Sequence, residues 1–512
     1  MTERDVASLT PAERPPAVED SIGQRMAGGA LWMIFVRVID RILGLGSIVI
    51  LARLLVPADF GLVAMATALL ALLELLSTFG VDVALIQNTS ASRRHFDTAW
   101  TFNVILGAAI GLVLLMIAAP AAQFYNEPRL QAIIIFLAVA AFIQGFENIG
   151  TVLFRKEFRY QQEFKFLLSK RLSVFIVTIS LALILRNYWA LVTGILVGRL
   201  ASLVLSYWLH NYRPRFSLAA RGELFHFGKW LVVGNVLYFA TSRSADFVIG
   251  KISGAHALGL FNLSYEISNL PTSDLIAPIN RAIFPGYAQK AADLGMLRQT
   301  YLEVIGIIAL LAVPAGVGIA AVAEFLVPVV MGPNWIEAIP AMTALSFYGV
   351  LLSLKSNNHY IYLALGKPRI TMFLGLLQLI ILLPLVVAGS LRDGAIGAAM
   401  GYLVAQLLFS PISVAVLRHV LELRVAQLVN VFYRPAIAAA TMYGGVRLLA
   451  SVFDGAPKYG AELILPLLIC VLCGMGLYAA ILLLLWLIVG RPVSAERRIF
   501  EFVRSKVSDR LR

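Results

Sequence analysis

Residues 237–285 read LYFATSRSADFVIGKISGAHALGLFNLSYEISNLPTSDLIAPINRAIFP and combine apolar runs with many ionisable side chains. Arg243 and Asp246 stand three residues apart, so they share one helix face and can form an ion pair. The part from 260 to 283 is long enough to span a bilayer, but it contains many polar residues and prolines, namely Asn262, Glu266, Asn269, Pro271, Asp274, Pro278, Asn280 and Arg281. Because polar side chains and freed backbone carbonyls are costly against lipid, this part predicts a bent helix that lines a wet cavity.

The same stretch repeats a pattern found near the start of the chain. Residues 53–62, RLLVPADFGL, correspond to residues 251–260, KISGAHALGL, 198 positions later. In both, a basic residue closes one apolar run and Gly-Leu opens the next. The GxxxG segment at 194–198 matches 397–401 at an offset of 203. Although Gly-Leu and GxxxG are each common in membrane helices, the nearly constant offset predicts two duplicated halves of about 200 residues.

Composition assigns the chain to the polytopic membrane proteins. Of its 512 residues 60% are apolar and 14% are charged, and the mean hydropathy is +0.83, which is far from the composition of soluble domains. The apolar runs are continuous over about 20 residues, the length at which a helix crosses a bilayer, whereas β-barrel strands alternate. The predicted fold class is all-α with about fourteen transmembrane helices. The runs lie at 26–52, 61–80, 98–122, 130–150, 166–185, 188–209, 226–249, 259–283, 302–324, 338–363, 370–389, 394–416, 434–453 and 462–489.

Basic residues in the connecting loops set the predicted orientation. With both termini in the cytoplasm, the inner loops hold seventeen Lys and Arg residues and the outer loops six, in agreement with the positive-inside rule. Six spans per repeat is an even number, so the halves have the same orientation and are related by an axis along the membrane normal. The predicted parts are a disordered N-terminus 1–25, six-helix bundles 26–212 and 226–420, a cytoplasmic linker 213–225, helices 13 and 14 in 421–490, and a basic cytoplasmic tail 491–512.

The net charge of +13 does not indicate nucleic acid as a partner, because the positive charge lies in the inner loops and the C-terminal tail. In that tail, apolar and basic residues recur at helical spacing, which is typical of an amphipathic helix on an anionic membrane surface. Binding of a protein partner is the alternative for this tail. Cys470 and Cys473 lie inside an apolar run and are interpreted as packing residues. The six histidines show no paired ligand spacing, so no metal or cofactor is predicted.

Charged residues inside the apolar runs are the candidates for function. They are Arg37, Asp40, Arg41, Glu74, Glu147, Arg199, Arg243, Asp246, Glu266, Asp274, Arg281 and Lys355. Each charge costs about 2.5–3.5 kcal/mol at a helix centre, so these side chains are expected to face inward. An ion pair of Asp40 with Arg37 or Arg41 is one interpretation. Arg199 and Lys355 have no acidic residue within one helical turn, which favours a wet, basic cavity, and arginine in such a cavity suits a phosphate.

Six segments carry a family resemblance. They are LARLLVPADFGLVAMATALL (51–70), FGVDVALIQ (79–87), FYNEP (124–128), VLFRKEFRYQQEF (152–164), SRSADFVIGKISGAHALGLFNLSY (242–265) and LALGKPR (363–369). In this order they resemble the polysaccharide transport branch of the MOP flippase superfamily, the Wzx-like flippases of lipid-linked oligosaccharides. The resemblance implies two six-helix bundles that form a V around a central cavity, followed by two further helices. It also implies the cargo, an undecaprenyl-diphosphate-linked sugar unit moved to the outer leaflet of the bacterial inner membrane.

With this resemblance, alternating access of the two bundles around a site near the midplane becomes the expected mechanism. The residues expected to hold the diphosphate and acidic sugars are Arg37, Arg41, Arg199, Arg243, Arg281 and Lys355. Those expected to balance charge or to bind a coupling H⁺ or Na⁺ are Asp40, Glu74, Glu147, Asp246, Glu266 and Asp274. The expected partners are the lipid-linked oligosaccharide, membrane lipids and polysaccharide assembly proteins.

Two other function classes fit parts of the sequence. A multidrug or cation extruder of the same superfamily would share the architecture, but its cavity should be lined by acids and aromatics, and the basic excess argues against it. A membrane glycan polymerase or ligase would also handle polyprenyl-linked sugars. Such an enzyme needs a large extracytoplasmic segment, and the outer loops here are at most about 15 residues long, so the chain is not predicted to be an enzyme.

Overall fold

A computed structural model describes residues 16–77, 85–86, 91–157, 159–453 and 460–490. Within these ranges the chain is helical and contains no strand. The helices of the first half are α1 (Pro16–Leu54), α2 (Pro57–Ser77), α3 (Arg93–Tyr125), α4 (Arg129–Gly145), the short α5 (Val152–Lys156), α6 (Tyr160–Leu185) and α7 (Trp189–Leu209). A 3₁₀ turn, Ile149–Thr151, joins α4 to α5.

The second half begins with a helix of 48 residues, α8 (Arg221–Ser268). The elements that follow are a π-helical turn (Pro271–Ile276), α9 (Ala277–Lys290), α10 (Leu294–Val330), a 3₁₀ turn (Pro333–Trp335), α11 (Ala338–Ser356), α12 (Asn358–Ala364), α13 (Pro368–Leu421), α14 (Val425–Ser451), a 3₁₀ turn (Ala461–Leu463) and α15 (Ile464–Ile488). The chain is therefore an all-α, multi-pass membrane protein.

Two of these helices are each interrupted once by a sharp turn. In α8 the break is at Gly254, which has φ 78°, a left-handed conformation that glycine adopts without strain. In α13 it is at Asp393 and Gly394, the latter with φ 55°. Each break falls between two predicted runs. Eight described helices are long and apolar enough to cross a membrane individually, and nine if the bent pair Arg129–Gly145 and Ile149–Lys156 counts as one span. Fourteen spans are compatible with these segments, and that number stays a prediction.

The eighth predicted run is not one regular α-helix. Its α-helical geometry ends at Ser268 and is followed by the π-helical turn Pro271–Ile276, and Pro278 stands in the first turn of α9. A proline removes one backbone donor and clashes with the preceding turn, so a local change of helix type is the expected result. The interruption agrees with the polar and proline-rich sequence, and the bend and the wet cavity stay predictions.

The chain forms two compact units. Unit 1 consists of Met1–Leu54 and Leu69–Val236, and unit 2 of Leu55–Ala68 and Leu237–Arg512. In unit 1, α3 packs against α4, α7 against both α4 and α6, and α1 against α6. In unit 2, α10 is central and packs against α11, α14 and α15. The first three turns of α2 therefore group with unit 2. The predicted bundle and linker boundaries stay predictions.

The two GxxxG segments have equivalent positions in the two halves. In unit 1 a Cβ at Gly194 of α7 would lie 2.0 Å from Thr178 Oγ1 on α6. In unit 2 a Cβ at Gly397 would lie 1.9 Å from the Gly389 carbonyl oxygen, across the turn within α13. Each segment thus lets the later helix of a hairpin approach the earlier one, as small residues do in membrane helices. This equivalence agrees with a duplicated fold.

The two ends of the chain are described only in part. Helix α1 begins at Pro16, so residues 16–25 are helical and not disordered as the composition had indicated. Proline at the first helical position, followed by Ala, Val, Glu and Asp, is a favourable helix start. The other fifteen residues of the predicted disordered segment lie outside the described residues. The same holds for the predicted amphipathic tail 491–512.

Candidate functional site

Arg199 of α7 and Glu74 of α2 form an ion pair in unit 1. The Arg199 guanidinium donates to Glu74 Oε1 at 2.8 Å, and the two side chains are 23% and 32% exposed. The two residues are 125 positions apart, so neither hydropathy nor helical spacing could connect them. Arg199 is therefore not isolated from acids, as its position in the sequence had suggested.

A second acid lies one helical turn from this pair. The Glu147 carboxylate, in the turn after α4, accepts a hydrogen bond from the Ser202 hydroxyl at 2.8 Å. Ser202 stands three residues after Arg199 on α7 and is fully buried. Lys170 of α6 interacts electrostatically with both Glu147 and Arg199. Two candidate acids and one candidate base thus belong to one network, which also includes Lys170.

Asp40 of α1 has a different partner from the one expected. Its Oδ1 accepts from Arg171 Nε on α6 at 2.8 Å, and the two side chains are 59% and 39% exposed. The expectation that Asp40 pairs with Arg37 or Arg41 is wrong. Helix α1 packs against α6, and this packing brings Arg171 within reach of the carboxylate. An ion pair between helices replaces the one that local spacing suggested.

The residues named in unit 1 balance one another in charge. Asp40, Glu74 and Glu147 supply three carboxylates, while Lys170, Arg171 and Arg199 supply three basic groups. Sequence analysis did not select Lys170, Arg171 or Ser202. Lys170 and Arg171 lie close to the start of the run 166–185, where basic residues commonly anchor a span at the membrane surface. Their position inside an apolar run could nevertheless have marked them as candidates for function.

In unit 2 the predicted pair of Arg243 and Asp246 is confirmed. Arg243 donates to Asp246 Oδ2 at 3.2 Å on one face of α8, with Asp246 buried and Arg243 exposed. The spacing of three residues was sufficient for this prediction because both partners lie on the same helix.

Lys355 of α11 is held by neutral groups. Its Nζ donates to Gln378 Oε1 on α13 and lies 4.7 Å from the centre of the Phe409 ring. Gln378 in turn donates to Gln406 at 3.2 Å, and Gln406 is fully buried. An amide oxygen and an aromatic face both attract an ammonium group without neutralising it. Lys355 therefore belongs to a polar chain that links α11 to both arms of α13.

The polar residues after Lys355 are part of the same region. Tyr287 donates to Asn357 at 2.8 Å, and Tyr301 donates to Asn358 at 3.0 Å. Asn357 also donates to Asn280 at 2.7 Å. These buried hydrogen bonds satisfy the side chains at the junction between α11 and α12, where an apolar span would otherwise leave them without partners. Their role is structural in this arrangement.

The remaining candidates are on or near the surface of their units. The side chains of Arg37, Glu266, Asp274 and Arg281 are exposed, and that of Arg41 is half-buried. Arg281 Nε donates to the Ala277 carbonyl at 3.4 Å within its own helix. Their proposed roles in binding or coupling stay predictions.

The helical arrangement and the charged networks define a class, that of multi-pass membrane proteins with the fold of the lipid II flippase. The chain superimposes on a structure described as "Lipid II flippase MurJ, inward closed conformation" with a TM-score of 0.71, at 10% identity, over 90% of this chain and 99% of that one. At this identity the likeness shows the fold.

The family follows from the sequence itself. The profile described as "Polysaccharide biosynthesis protein" matches residues 50–340, more than half of the chain, and the protein belongs to this family. The "Lipopolysaccharide biosynthesis protein WzxC" of Escherichia coli is 26% identical over 396 residues, which is 76% of this chain and 80% of that protein. The "Succinoglycan biosynthesis transport protein ExoT" of Rhizobium meliloti is 22% identical over 363 residues, 70% of this chain and 72% of that one.

Proposed function

We propose that the protein is a flippase that moves an undecaprenyl-diphosphate-linked oligosaccharide, or a related polysaccharide precursor, across the bacterial inner membrane. The observation that carries the proposal is the Glu74–Arg199 pair with its neighbours Glu147 and Lys170, in predominantly apolar helices. Membership of the polysaccharide biosynthesis family and the flippase fold support it. Charges in membrane helices are costly, and they are retained where a polar cargo passes.

The unit 1 network suits an anion that exchanges partners with a carboxylate. The planar guanidinium of Arg199 can donate two parallel hydrogen bonds to a carboxylate or to a phosphate, but not to both with the same nitrogen atoms. A diphosphate that binds through Nη2 of Arg199, the nitrogen that contacts Glu74, displaces Glu74 from its 2.8 Å contact. Lys170, already within the field of Arg199 and Glu147, adds positive charge at the same place.

This exchange connects cargo binding to a coupling cation. A carboxylate released from its arginine in an apolar surrounding is costly unless it takes up a proton or Na⁺. Glu74 is the residue to which this applies, because its ion pair is the one that the diphosphate replaces. Cargo anion and coupling cation would then bind together, one on Arg199 and the other on Glu74, and the cation would offset one of the two negative charges of the diphosphate.

The proposed orientation of the chain and the path of the cargo follow from the loop charges and from the chemistry of the lipid. Both termini face the cytoplasm, in accordance with the loop charges, and the polyprenyl tail stays in the bilayer while the polar head crosses. Movement of the cargo leaves its covalent bonds unchanged, so the protein acts as a transporter and not as an enzyme. A cation extruder is the second candidate, and the three acids and three bases that make these contacts in unit 1 give it no preference.

The direct test uses the purified protein in liposomes. Undecaprenyl-diphosphate-linked oligosaccharide in the inner leaflet should become accessible to an external glycosidase or lectin, and protein-free liposomes should show no change. Movement of a cationic dye without movement of the lipid-linked sugar would refute the proposal. A change in the length of the glycan during the assay would indicate an enzyme.

The coupling step is tested with Glu74→Gln, which resembles the protonated acid. In this variant the cargo should bind at least as tightly as in the unaltered protein, and its affinity should no longer change with pH. Glu147→Gln is the matched control, because Glu147 contacts a hydroxyl rather than the Arg199 fork. If Glu74→Gln binds cargo with an unaltered pH dependence, the coupling assignment is wrong even where transport itself is observed.

A further inference from the structure

Residues 210–220 join α7 to α8 in unit 1 and form no helix. They lie along the first turns of α3, to which their backbone is hydrogen-bonded. The Arg215 N–H donates to the Asp97 carboxylate at 2.9 Å, and the Ser217 N–H donates to the Thr101 hydroxyl at 2.9 Å. Between Arg215 and Ser217 the segment therefore advances along α3 by the distance from Asp97 to Thr101, which is about 6 Å at the helical rise of about 1.5 Å per residue.

The segment then turns back toward the start of α3. The Ala220 N–H donates to the Thr98 hydroxyl at 3.2 Å, so the backbone has returned by this point. Residues 216–218 are therefore the tip of the segment, the part that reaches furthest along α3. Two side chains of the tip are apolar, those of Phe216 and Leu218, and they are 69% and 44% exposed.

The tip lies at the level where α3 enters the hydrocarbon region of a bilayer. Helix α3 has 33 residues. Its length is therefore about 50 Å, about 20 Å more than the hydrocarbon thickness of roughly 30 Å. Divided equally between the two ends, this excess puts the boundary about seven residues into α3, close to Trp100. The ring of Trp100 packs on that of Phe216, with 4.9 Å between the ring centres. The exposed apolar tip is therefore at the depth of the first acyl-chain carbons.

Basic side chains surround the tip on the side of the lipid headgroups. Four exposed arginines stand at this level, namely Arg93, Arg94, Arg213 and Arg215. Two acids lie in the same region and both have basic partners. Asp97 is buried and lies 3.7 Å from Arg93, and Glu157 pairs with Arg159 at 2.8 Å. The region as a whole thus carries a net positive charge.

We infer that residues 210–220 form an interfacial anchor that binds anionic phospholipids of the inner leaflet. Phe216 and Leu218 enter the acyl-chain region, and the arginines beside them bind lipid phosphate groups, to which a guanidinium donates parallel hydrogen bonds. An apolar surface below basic side chains is the arrangement of interfacial membrane anchors, and each basic residue near an anionic surface adds to the attraction. A soluble protein partner does not fit the tip, because the tip lies at the depth of lipid.

The inference changes the interpretation of the predicted cytoplasmic linker 213–225. Its first residues lie in the membrane interface and not in the cytoplasm. The assignment to the inner leaflet follows from the loop charges, and the binding of phospholipid requires no cargo. The anchor therefore holds the end of unit 1 at a fixed depth, at the point where the chain passes from the first repeat to the second.

The anchor is tested by the depth of a spin label in nanodiscs made of phosphatidylglycerol. In the full chain with Cys470 and Cys473 changed to Ser, a nitroxide is attached at Phe216→Cys. The control is Asn211→Cys, an exposed position at the other end of the segment. Power-saturation EPR compares collisions with oxygen, which concentrates in lipid, and with a polar nickel chelate. Oxygen should dominate at Phe216→Cys and the nickel chelate at Asn211→Cys. Dominance of the nickel chelate at Phe216→Cys overturns the inference, and it is the result that a surface for a soluble protein would give.

A second comparison tests the arginines. With the label at Phe216→Cys, the ratio of oxygen to nickel collisions should fall at least about twofold in phosphatidylcholine nanodiscs, and likewise in phosphatidylglycerol when Arg213→Gln and Arg215→Gln are added. Arg186→Gln with Arg392→Gln is the matched control. It removes the same charge from two exposed arginines outside the segment and should leave the ratio unchanged. An unchanged ratio in either comparison overturns the inference, because the tip then needs no anionic lipid. Samples of equal circular dichroism are compared, and no measurement involves transport, so the result is independent of the proposed function.

Discussion

Arg199 of α7 donates to Glu74 of α2 at 2.8 Å, and this ion pair joins two membrane helices that are 125 residues apart in the chain. Sequence analysis selected both residues but assigned them to different groups, one for cargo binding and one for charge balance. The structure makes them partners. A mutation of either residue therefore changes two functions, and the experiments have to separate them.

The first prediction separates stability from transport at this pair. Arg199→Ala should lower the free energy of unfolding by about 3 kcal/mol, because it leaves a carboxylate in an apolar region without its arginine. Arg199→Ala combined with Glu74→Gln should recover the abundance but not the transport. Arg199→Lys should keep the abundance and lose transport, because it keeps the charge without the planar fork. If Arg199→Ala transports as fast as the unaltered protein, the Glu74–Arg199 pair is not part of the cargo site.

The second prediction concerns the ion pair of Asp40 with Arg171. Each single change, Asp40→Arg or Arg171→Asp, should lower membrane abundance, because it puts two like charges where the structure has an ion pair. The double exchange should restore abundance, since it rebuilds the pair in reverse. The control is the double variant Asp40→Arg with Arg37→Asp. It restores an ion pair only if Asp40 pairs with its neighbour Arg37 on the same helix. Rescue by the control and not by the first exchange would contradict the structure.

The third prediction uses the close approach of α6 and α7. Gly194→Ala should cost about 1–3 kcal/mol, because the added methyl group overlaps Thr178 Oγ1. Thr178→Ala removes that atom, so the double variant should regain most of the loss in a thermal denaturation experiment in detergent. Gly444→Ala, where a Cβ would meet no atom within 4 Å, is the neutral control. Failure of Thr178→Ala to compensate would mean that the helices separate instead.

The fourth prediction concerns the segment after α7, which lies along the first turns of α3. Asp97 accepts from the Tyr212 hydroxyl at 2.7 Å and from the Arg215 backbone N–H at 2.9 Å, and Thr101 accepts from the Ser217 N–H at 2.9 Å. Hydrogen bonds to a charged acceptor contribute about 1.5–3 kcal/mol each. Asp97→Ala should therefore raise the rate of trypsin cleavage after Arg215 by more than about tenfold. Glu127→Ala, which removes only a loop pair with Arg129, should leave it unchanged.

This attachment has a predictable pH dependence. Burial and the neighbouring Asp97 raise the pKa of the Tyr212 phenol above its ordinary value of 10.0. Because the attached form binds the proton more tightly than the detached form, the stabilisation is complete below pH 10.0 and is lost as the pH rises above that value. Trypsin cleavage should be independent of pH below that limit and should increase above it. Tyr212→Phe should remove the increase, and a rise already at neutral pH would contradict the assignment.

The fifth prediction tests the orientation in whole cells. Val56 is 45% exposed between α1 and α2, and Arg221 is exposed at the start of α8. With Cys470 and Cys473 changed to Ser, an impermeant thiol reagent should label Val56→Cys and not Arg221→Cys, and permeabilised cells should show both. Val56 is preferable to its neighbour Pro57, which is buried. Labelling of Arg221→Cys alone in whole cells would show that the chain has the opposite orientation in the membrane.

Local properties of the sequence were sufficient for the membrane class, the all-α fold and the interruption of the eighth run. Hydropathy, proline and helical spacing act over a few residues, and the Arg243–Asp246 pair was predictable because both partners lie on one helix. The internal repeat was also visible, since Gly61 and Gly259 occupy matching positions in two similar segments of the sequence. Family membership followed from the same order of segments.

Only the tertiary structure decided which residues meet. Asp40 had two arginines within one turn and yet pairs with Arg171, and Arg199 had no nearby acid and yet pairs with Glu74. The direction and partner of a side chain depend on which helices pack and at what rotation about their axes, and this is set by many contacts from distant parts of the chain. For the same reason the sequence contained both glycines, but their mutual contact became evident only when the helices were packed.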